Sequence, residues 1–226
     1  MPGAGAGHAR VTREQLLQSL AADAVAGPRV LKALGAVDRA AFVGVAQRRR
    51  AWEDCALPIR SGQTISQPRV VAHMCELLAL EGHERVLDVG TGSGYHAAVL
   101  ARLAAHVFTI ERDGRLANAA AAALGAARVP NVTCLVGDGS LGVAAEAPFD
   151  AVNVAATAGP GALDALVAQL GPRGRLVAPE RDGTEQLVVV RRTPDGVVRS
   201  THGSVRFVPL IVGGAARRAP SRRSGR

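Results

Sequence analysis

The stretch Val86-Leu87-Asp88-Val89-Gly90-Thr91-Gly92-Ser93-Gly94-Tyr95 decides how the rest of the chain is read. A short apolar run carrying an acid breaks into a turn with glycine at every second position. A strand entering a glycine-rich turn that opens a helix lets backbone approach a ligand closely, with helix N–H groups aimed at it. The spacing is G-x-G-x-G. The dinucleotide fingerprint requires G-x-G-x-x-G, whose longer second gap accommodates a pyrophosphate. NAD therefore ranks second to a nucleoside ligand without that group.

On both sides of this turn, short apolar runs alternate with helical patterns. A helix is expected over Gln67 to Leu80 and strands at Arg85–Val89, Val107–Ile110, Val132–Val136 and Phe149–Val154. Tyr95–Ala104, Arg112–Ala127 and Pro160–Leu170 read as the helices between and after them. Arg175–Val177, Gln186–Arg191 and about Gly203–Val208 read as closing strands, antiparallel through a turn at Pro194-Asp195-Gly196. Upstream, Leu16, Leu17, Leu20 and Val25 recur at helix spacing behind a Thr12 cap, a second helix is expected over Val30–Val43, and Asp54–Pro68 reads as loop. The fold class that follows is α/β, a doubly wound and mostly parallel sheet with antiparallel C-terminal strands and an N-terminal helical cap. Residues 1–11 are expected as a flexible leader and 12–213 as one domain, with a helical cap over 12–60 and an α/β core over 61–213. Residues 214–226 are expected as a basic, disordered tail.

Two further acids extend the glycine turn into a site. Glu111 follows the strand Val107–Ile110, where a carboxylate can accept from both hydroxyls of an adenosyl ribose. Asp138, in Gly137-Asp138-Gly139, stands where a carboxylate can accept from an adenine amino group. With Asp88 at the strand before the turn, three acids are expected to converge on one crevice at the carboxyl edge of the sheet. The constellation resembles the S-adenosylmethionine site of class I methyltransferases.

The 226 residues carry a net charge of +8, with 48% apolar and only 3% aromatic residues. Few aromatics argue against a stacking platform for single-stranded nucleic acid. Arg217, Arg218, Arg222, Arg223 and Arg226 lie in the last ten residues, which leaves +3 for the remainder. Three widely spaced cysteines without a C-x-x-C pattern suggest neither a disulfide framework nor a metal site. No secretory leader and no run of about 20 apolar residues is apparent, so a cytoplasmic protein without a membrane partner is expected.

The segments Leu57-Pro58-Ile59 and Gly62-Gln63-Thr64-Ile65-Ser66-Gln67-Pro68 make the chain resemble the protein-L-isoaspartate O-methyltransferase family over roughly residues 12–212. Thr109-Ile110-Glu111-Arg112, Gly137-Asp138-Gly139, Pro148-Phe149-Asp150, Gly174-Arg175-Leu176-Val177 and Val205-Arg206-Phe207-Val208-Pro209-Leu210 extend the match. The resemblance implies methyl transfer from S-adenosyl-L-methionine to the α-carboxylate of L-isoaspartyl residues in damaged proteins, with repair through a succinimide. It implies cofactor contacts at Asp88, Gly90, Thr91, Gly92, Ser93, Gly94, Glu111, Arg112, Asp138 and Gly139. Ser66 and Thr64 are implied at the acceptor carboxylate, and Gln63, Ile65, Val208 and Pro209 along the peptide. Isoaspartyl proteins and peptides are the implied partners, and no metal, no specific nucleic acid and a monomer are expected.

The residues leave other readings open. Ser66 before Gln67-Pro68 also suits a helix N-cap. A relative that methylates normal aspartate in a natural-product peptide can share this core, and the basic tail would suit a nucleic-acid-binding protein. Departures from the family pattern include Trp52, Gly44, His96 and Ala155. They bear on substrate range more than on the reaction.

Overall fold

The computed structural model describes residues 10–213; the expected tail and all but the last two residues of the expected leader lie outside the described residues. Helix α1 (Arg13–Ala22) begins at Thr12. Thr12 Oγ1 accepts from the Gln15 N–H at 3.2 Å, and Gln15 Oε1 accepts from the Thr12 N–H at 2.9 Å. This reciprocal box satisfies two otherwise orphaned donors of the first turn. Helix α2 (Pro28–Gly35) opens on Pro28. The expected helix over Val30–Val43 stops at Gly35, because Asp38 accepts from the Ala40 N–H at 3.0 Å and caps a separate 3-10 turn, Arg39–Phe42. Such a local bond competes with helix continuation. Within the expected loop, β1 (Leu57–Pro58) and β2 (Thr64–Ile65) pair antiparallel. Strands this short carry no readable alternation.

Next come α3 (Pro68–Leu78), β3 (Arg85–Val89), α4 (Tyr95–Leu100), β4 (His106–Glu111), α5 (Gly114–Ala126), β5 (Val132–Val136), β6 (Phe149–Val154), α6 (Asp164–Val167), β7 (Leu170–Asp182), β8 (Thr184–Thr193) and β9 (Gly196–Ser204). The seven-stranded sheet has the order β5-β4-β3-β6-β7-β8-β9. It is parallel from β5 to β7 and antiparallel at β8 and β9, the doubly wound architecture that the alternation implied. The chain winds outward from β3 to β5, then returns to place β6 on the other side of β3. That reversal opens a crevice at the carboxyl ends of β3 and β6.

Alternation along β3 sends Val86 to one face of the sheet and Leu87 to the other. Val86 joins Leu20, Leu34, Phe42, Leu57, Val71 and Met74, so the helical cap and α3 share one core with that face. Leu87 joins Phe108, Phe149, Val152, Leu163 and Leu176 on the opposite face. Each fully buried leucine contributes roughly 2 kcal/mol. Arg69 on α3 donates to Asp54 at 2.8 Å and to Asp23 at 2.7 Å, tying the site's leading helix to the cap.

Two C-terminal expectations shift. The helix expected over Pro160–Leu170 contracts to α6, since Gly161 is held at φ +74° and Leu170 is drawn into pairing with Phe149. The last strand runs Gly196–Ser204 instead of Gly203–Val208. Beyond it Glu185 Oε1 accepts the Phe207 N–H at 2.6 Å and the Thr157 N–H takes the Val208 carbonyl at 2.8 Å. These bonds divert the chain out of the sheet and across the crevice.

Candidate functional site

The glycine turn is fixed by its own backbone. Gly90 N–H donates to the Ile110 carbonyl at 2.9 Å and Gly94 N–H to the Thr91 carbonyl at 2.8 Å. Gly94 adopts φ +86°, and a Cβ there would lie 3.2 Å from Ala120 Cβ on α5. Only glycine meets both conditions without strain. Above the turn lies a cavity of about 560 Å³, inside the range of small-molecule sites. Gly90, Thr91, Gly92, Ser93, Glu111, Arg112 and Gly139 line it, with Gln63, Thr64, Ile65 and Ser66 on one wall and Val208 and Pro209 on another.

The three acids do not converge as expected. Glu111 alone faces the cavity; its Oε2 accepts from the Gly92 N–H at 3.0 Å and its Oε1 from the Asp113 N–H at 3.0 Å. Each oxygen keeps a lone pair for a further donor. Asp138 caps the turn Gly139–Leu141 through Ser140, and its Oδ2 accepts from the Gly213 N–H at 2.9 Å. Burial alone would raise its pKa, but those bonds and the Arg112 charge hold it below the usual carboxylate range.

Asp88 is fully buried and is not among the residues that line the cavity. Asp88 precedes the last residue of β3, so its side chain turns into the interior beneath the glycines. Its Oδ2 accepts from Thr109 at 2.8 Å and its Oδ1 from Asn153 at 2.7 Å. Thr91 Oγ1 lies 2.7 Å from Thr109 Oγ1. With the Thr109 proton committed to Asp88, Thr91 must donate to Thr109. The second amide hydrogen of Asn153 points to His96 Nδ1 at 3.3 Å, while His96 Nε2 lies 3.6 Å from Cys75 Sγ. That set of donors assigns His96 the neutral Nε2–H tautomer. Burial pushes Asp88 up to about 6 against the pull of Asn153 and Thr109, and pushes His96 down to about 4.

A second cavity, about 600 Å³, lies beside the first. Ala56, Gln67, Val70 and the segment Ser204–Val208 line it, and it shares Thr64, Ser66, Ala155 and Val208 with its neighbour. The N-cap of α3 is Gln67, without a side-chain cap bond, so Ser66 is not the helix cap. Among the described residues no cluster of His, Cys, Asp or Glu is placed to hold a metal ion, and no helix is long and apolar enough to cross a membrane.

Several residues of this region are not singled out as site residues by the sequence. Tyr95, His96, Leu116 and Ala156 line the first cavity. Glu185 sits far along the chain on β8, yet it accepts from Thr157 Oγ1 and from the Phe207 N–H, both at 2.6 Å. Burial would raise its pKa; the bonds from Thr157, Arg181 and Phe207 lower it. Arg39 is fully buried in the cap. A charged pair, Asp38-Arg39, inside the otherwise apolar stretch Ala36–Val43 was the available signal for it.

The chain is similar to known proteins over nearly all of its length. It is 46% identical to the protein-L-isoaspartate O-methyltransferase of Methylibium petroleiphilum over 90% of this chain and 78% of that one. It is 49% identical to protein-L-isoaspartate O-methyltransferase 1 of Rhodopseudomonas palustris, over 88% and 82%. A solved protein-L-isoaspartate O-methyltransferase superposes with a TM-score of 0.80 at 24% identity, covering 91% of this chain and 67% of that one. A Plasmodium falciparum chain named for the same activity and bound to S-adenosyl-L-homocysteine gives 0.76 at 23%, over 89% and 99%. The family model for protein-L-isoaspartate(D-aspartate) O-methyltransferase matches residues 11–215, and the chain belongs to that family.

Proposed function

We propose that the first cavity holds S-adenosylmethionine, that the second holds an isoaspartyl peptide, and that methyl transfer occurs where the two share Thr64, Ser66, Ala155 and Val208. That shared wall is the observation that carries the reading. The first cavity fits the group in volume and donor set. Glu111 would hold the ribose hydroxyls with its spare lone pairs, and the Gly90–Gly94 turn brings backbone close to the methionine portion. Gly139 bounds the adenine side without a side chain. Asp88 acts from beneath, holding Thr109 and Thr91, and contributes to the turn's shape instead of touching the ligand.

When bound, S-adenosylmethionine supplies an electrophilic methyl group; a carboxylate oxygen forms the new C–O bond as the C–S electron pair returns to sulfur. The acceptor carboxylate is ionised at neutral pH, so no general base is required. Cation and anion become two neutral products, so exclusion of water favours the reaction. The chain's task is to hold the carboxylate in line. The Ser66 hydroxyl, which forms no hydrogen bond to another described residue, is free to donate to it, with Thr64 beside it. Val208, which lines both cavities, closes over their junction, while Gln63, Ile65 and Pro209 wall the first cavity next to it. The methyl ester then cyclises to a succinimide, which reopens in part to normal aspartate.

The enzyme acts in the cytoplasm, as a monomer. The deciding experiment offers S-adenosylmethionine and two peptides that differ only in L-isoaspartate against normal aspartate. Mass spectrometry should find methyl ester and succinimide on the isoaspartyl peptide alone. Equal methylation of both would reassign the enzyme to peptide tailoring.

A further inference from the structure

Arg39 has no solvent exposure, and no carboxylate of a described residue lies within 4.0 Å of its guanidinium. Its partners are three backbone carbonyls. Nη1 donates to Ala51 at 2.5 Å, and Nη2 donates to Cys55 at 3.0 Å and to Ser66 at 2.9 Å. Its carbon lies 5.8 Å from the centroid of the Tyr95 ring, at the first residue of α4 after the glycine turn. Nε has no partner among the described residues. A charge buried this way is costly, and an apolar side chain of similar volume generally serves stability as well or better. Its place in the fold is accounted for by what it fastens.

The three carbonyls belong to a single unit. Ala51 and Cys55 lead to Ala56, a wall of the second cavity, and then to β1, which pairs Leu57 with Ile65 and Pro58 with Thr64. Ser66 ends the unit, two residues before Pro68 starts α3. With its carbonyl fixed from behind by Arg39 and the following turn fixed by Pro68, the direction of the Ser66 Cα–Cβ bond is set. We propose that Arg39 is a positioning residue for the reaction: by gripping segment 51–66 at three carbonyls it aims the Ser66 hydroxyl at the acceptor carboxylate. This rests on the orienting role proposed for Ser66. Lysine, with one compact ammonium, cannot reproduce the planar fork that reaches three acceptors in different directions.

The test compares Arg39→Lys, Arg39→Met, Ser66→Ala and the double variant Arg39→Lys/Ser66→Ala, with kcat and KM for the isoaspartyl peptide and calorimetric affinity for S-adenosylhomocysteine. Misplacement of a reacting group by about 1 Å can cost on the order of 100-fold, so Arg39→Lys should lower kcat by about 10-fold or more. Affinity for S-adenosylhomocysteine should stay within about threefold, and the double variant should be no slower than Ser66→Ala, because residues acting as one unit are not additive. Arg39→Met should behave as Arg39→Lys does while remaining folded. Loss of S-adenosylhomocysteine affinity in step with activity would reduce Arg39 to general scaffolding and overturn the proposal. So would fully additive losses in the double variant, or wild-type kcat in Arg39→Lys. Wild-type turnover by Ser66→Ala would remove the role of Ser66 itself, and this proposal with it.

Discussion

Asp88 and His96 show at the residue scale how a buried network shapes the response to pH. Asp88, raised from 3.8 to about 6, keeps in the fold a proton that the unfolded chain releases between those values. Its contribution to stability therefore grows as pH falls through about 6. His96, lowered from 6.5 to about 4, refuses in the fold a proton that the unfolded chain accepts, so its contribution is lost as pH falls below 6.5. Both groups are buried, and the two slopes oppose each other between about 4 and 6 at up to about 1.4 kcal/mol per pH unit each. His96→Gln should therefore gain stability relative to wild type on going from pH 7 to 5. Asp88→Asn should lose it, each by about 1 kcal/mol. Urea midpoints at the two pH values read this directly, and parallel behaviour of the two variants would show that the pair does not titrate as described. Neither assignment follows from the motif alone. The glycine turn marks where a ligand lies, but whether the acid before it faces that ligand or the interior depends on its place in the pleat.

At the scale of elements, the segment after β9 walls both cavities and, among the described residues, pairs only through an isolated parallel bridge between Pro209 and Thr157. Its anchorage comes from Glu185 on β8, which accepts the Phe207 N–H and the Thr157 hydroxyl and pairs with Arg181 at 2.6 Å. At the far end Arg112 donates to the Ile211 carbonyl at 3.2 Å and Asp138 accepts from Gly213. Glu185→Ala should leave an unpartnered amide and hydroxyl, at a cost of about 1–3 kcal/mol to the local anchorage. Hydrogen exchange over residues 205–210 should accelerate, and KM for the peptide should rise with kcat less affected. Unchanged exchange there would place the anchor elsewhere. From the sequence a strand is expected over about Gly203–Val208, which includes the apolar Val205, Phe207 and Val208. Their apolar character was legible; the side chain that draws the amide out of the sheet lies about twenty residues upstream and was not.

Across the whole molecule, the cofactor cavity draws on the carboxyl ends of β3, β4 and β6, on the loop after β5, on the hairpin β1–β2 and on the closing segment. A ligand bound there bridges elements that the unfolded chain separates, so S-adenosylhomocysteine should stabilise the global fold. At 100 times its Kd the gain is about 2.7 kcal/mol. For a domain of this size that is an increase of about 5–10 °C in Tm. Glu111→Ala should abolish most of that shift, whereas Ser66→Ala, on the acceptor side, should retain it. Equal loss in both variants would contradict the division of labour between the two cavities.

Local order along the chain was enough to specify the parallel core. Val86–Val89 must be buried, Gly90–Gly94 must turn, and the next apolar run must lie beside the first, because periodicity and glycine geometry act over a few residues. The family signature at Gly62–Pro68 likewise singled out Thr64 and Ser66, which line both cavities. Only the folded molecule decided that Asp88 supports the turn from below, that Glu111 alone of the three motif acids lines the cavity, and that the helix after Val30 breaks at Gly35. The same holds for Arg39 and Glu185, whose partners, Arg181 apart, lie 12 to 28 residues away in sequence. Side-chain bonds to distant backbone leave no periodic trace, so packing of the cap and sheet had to bring them together before their parts in the site could be read.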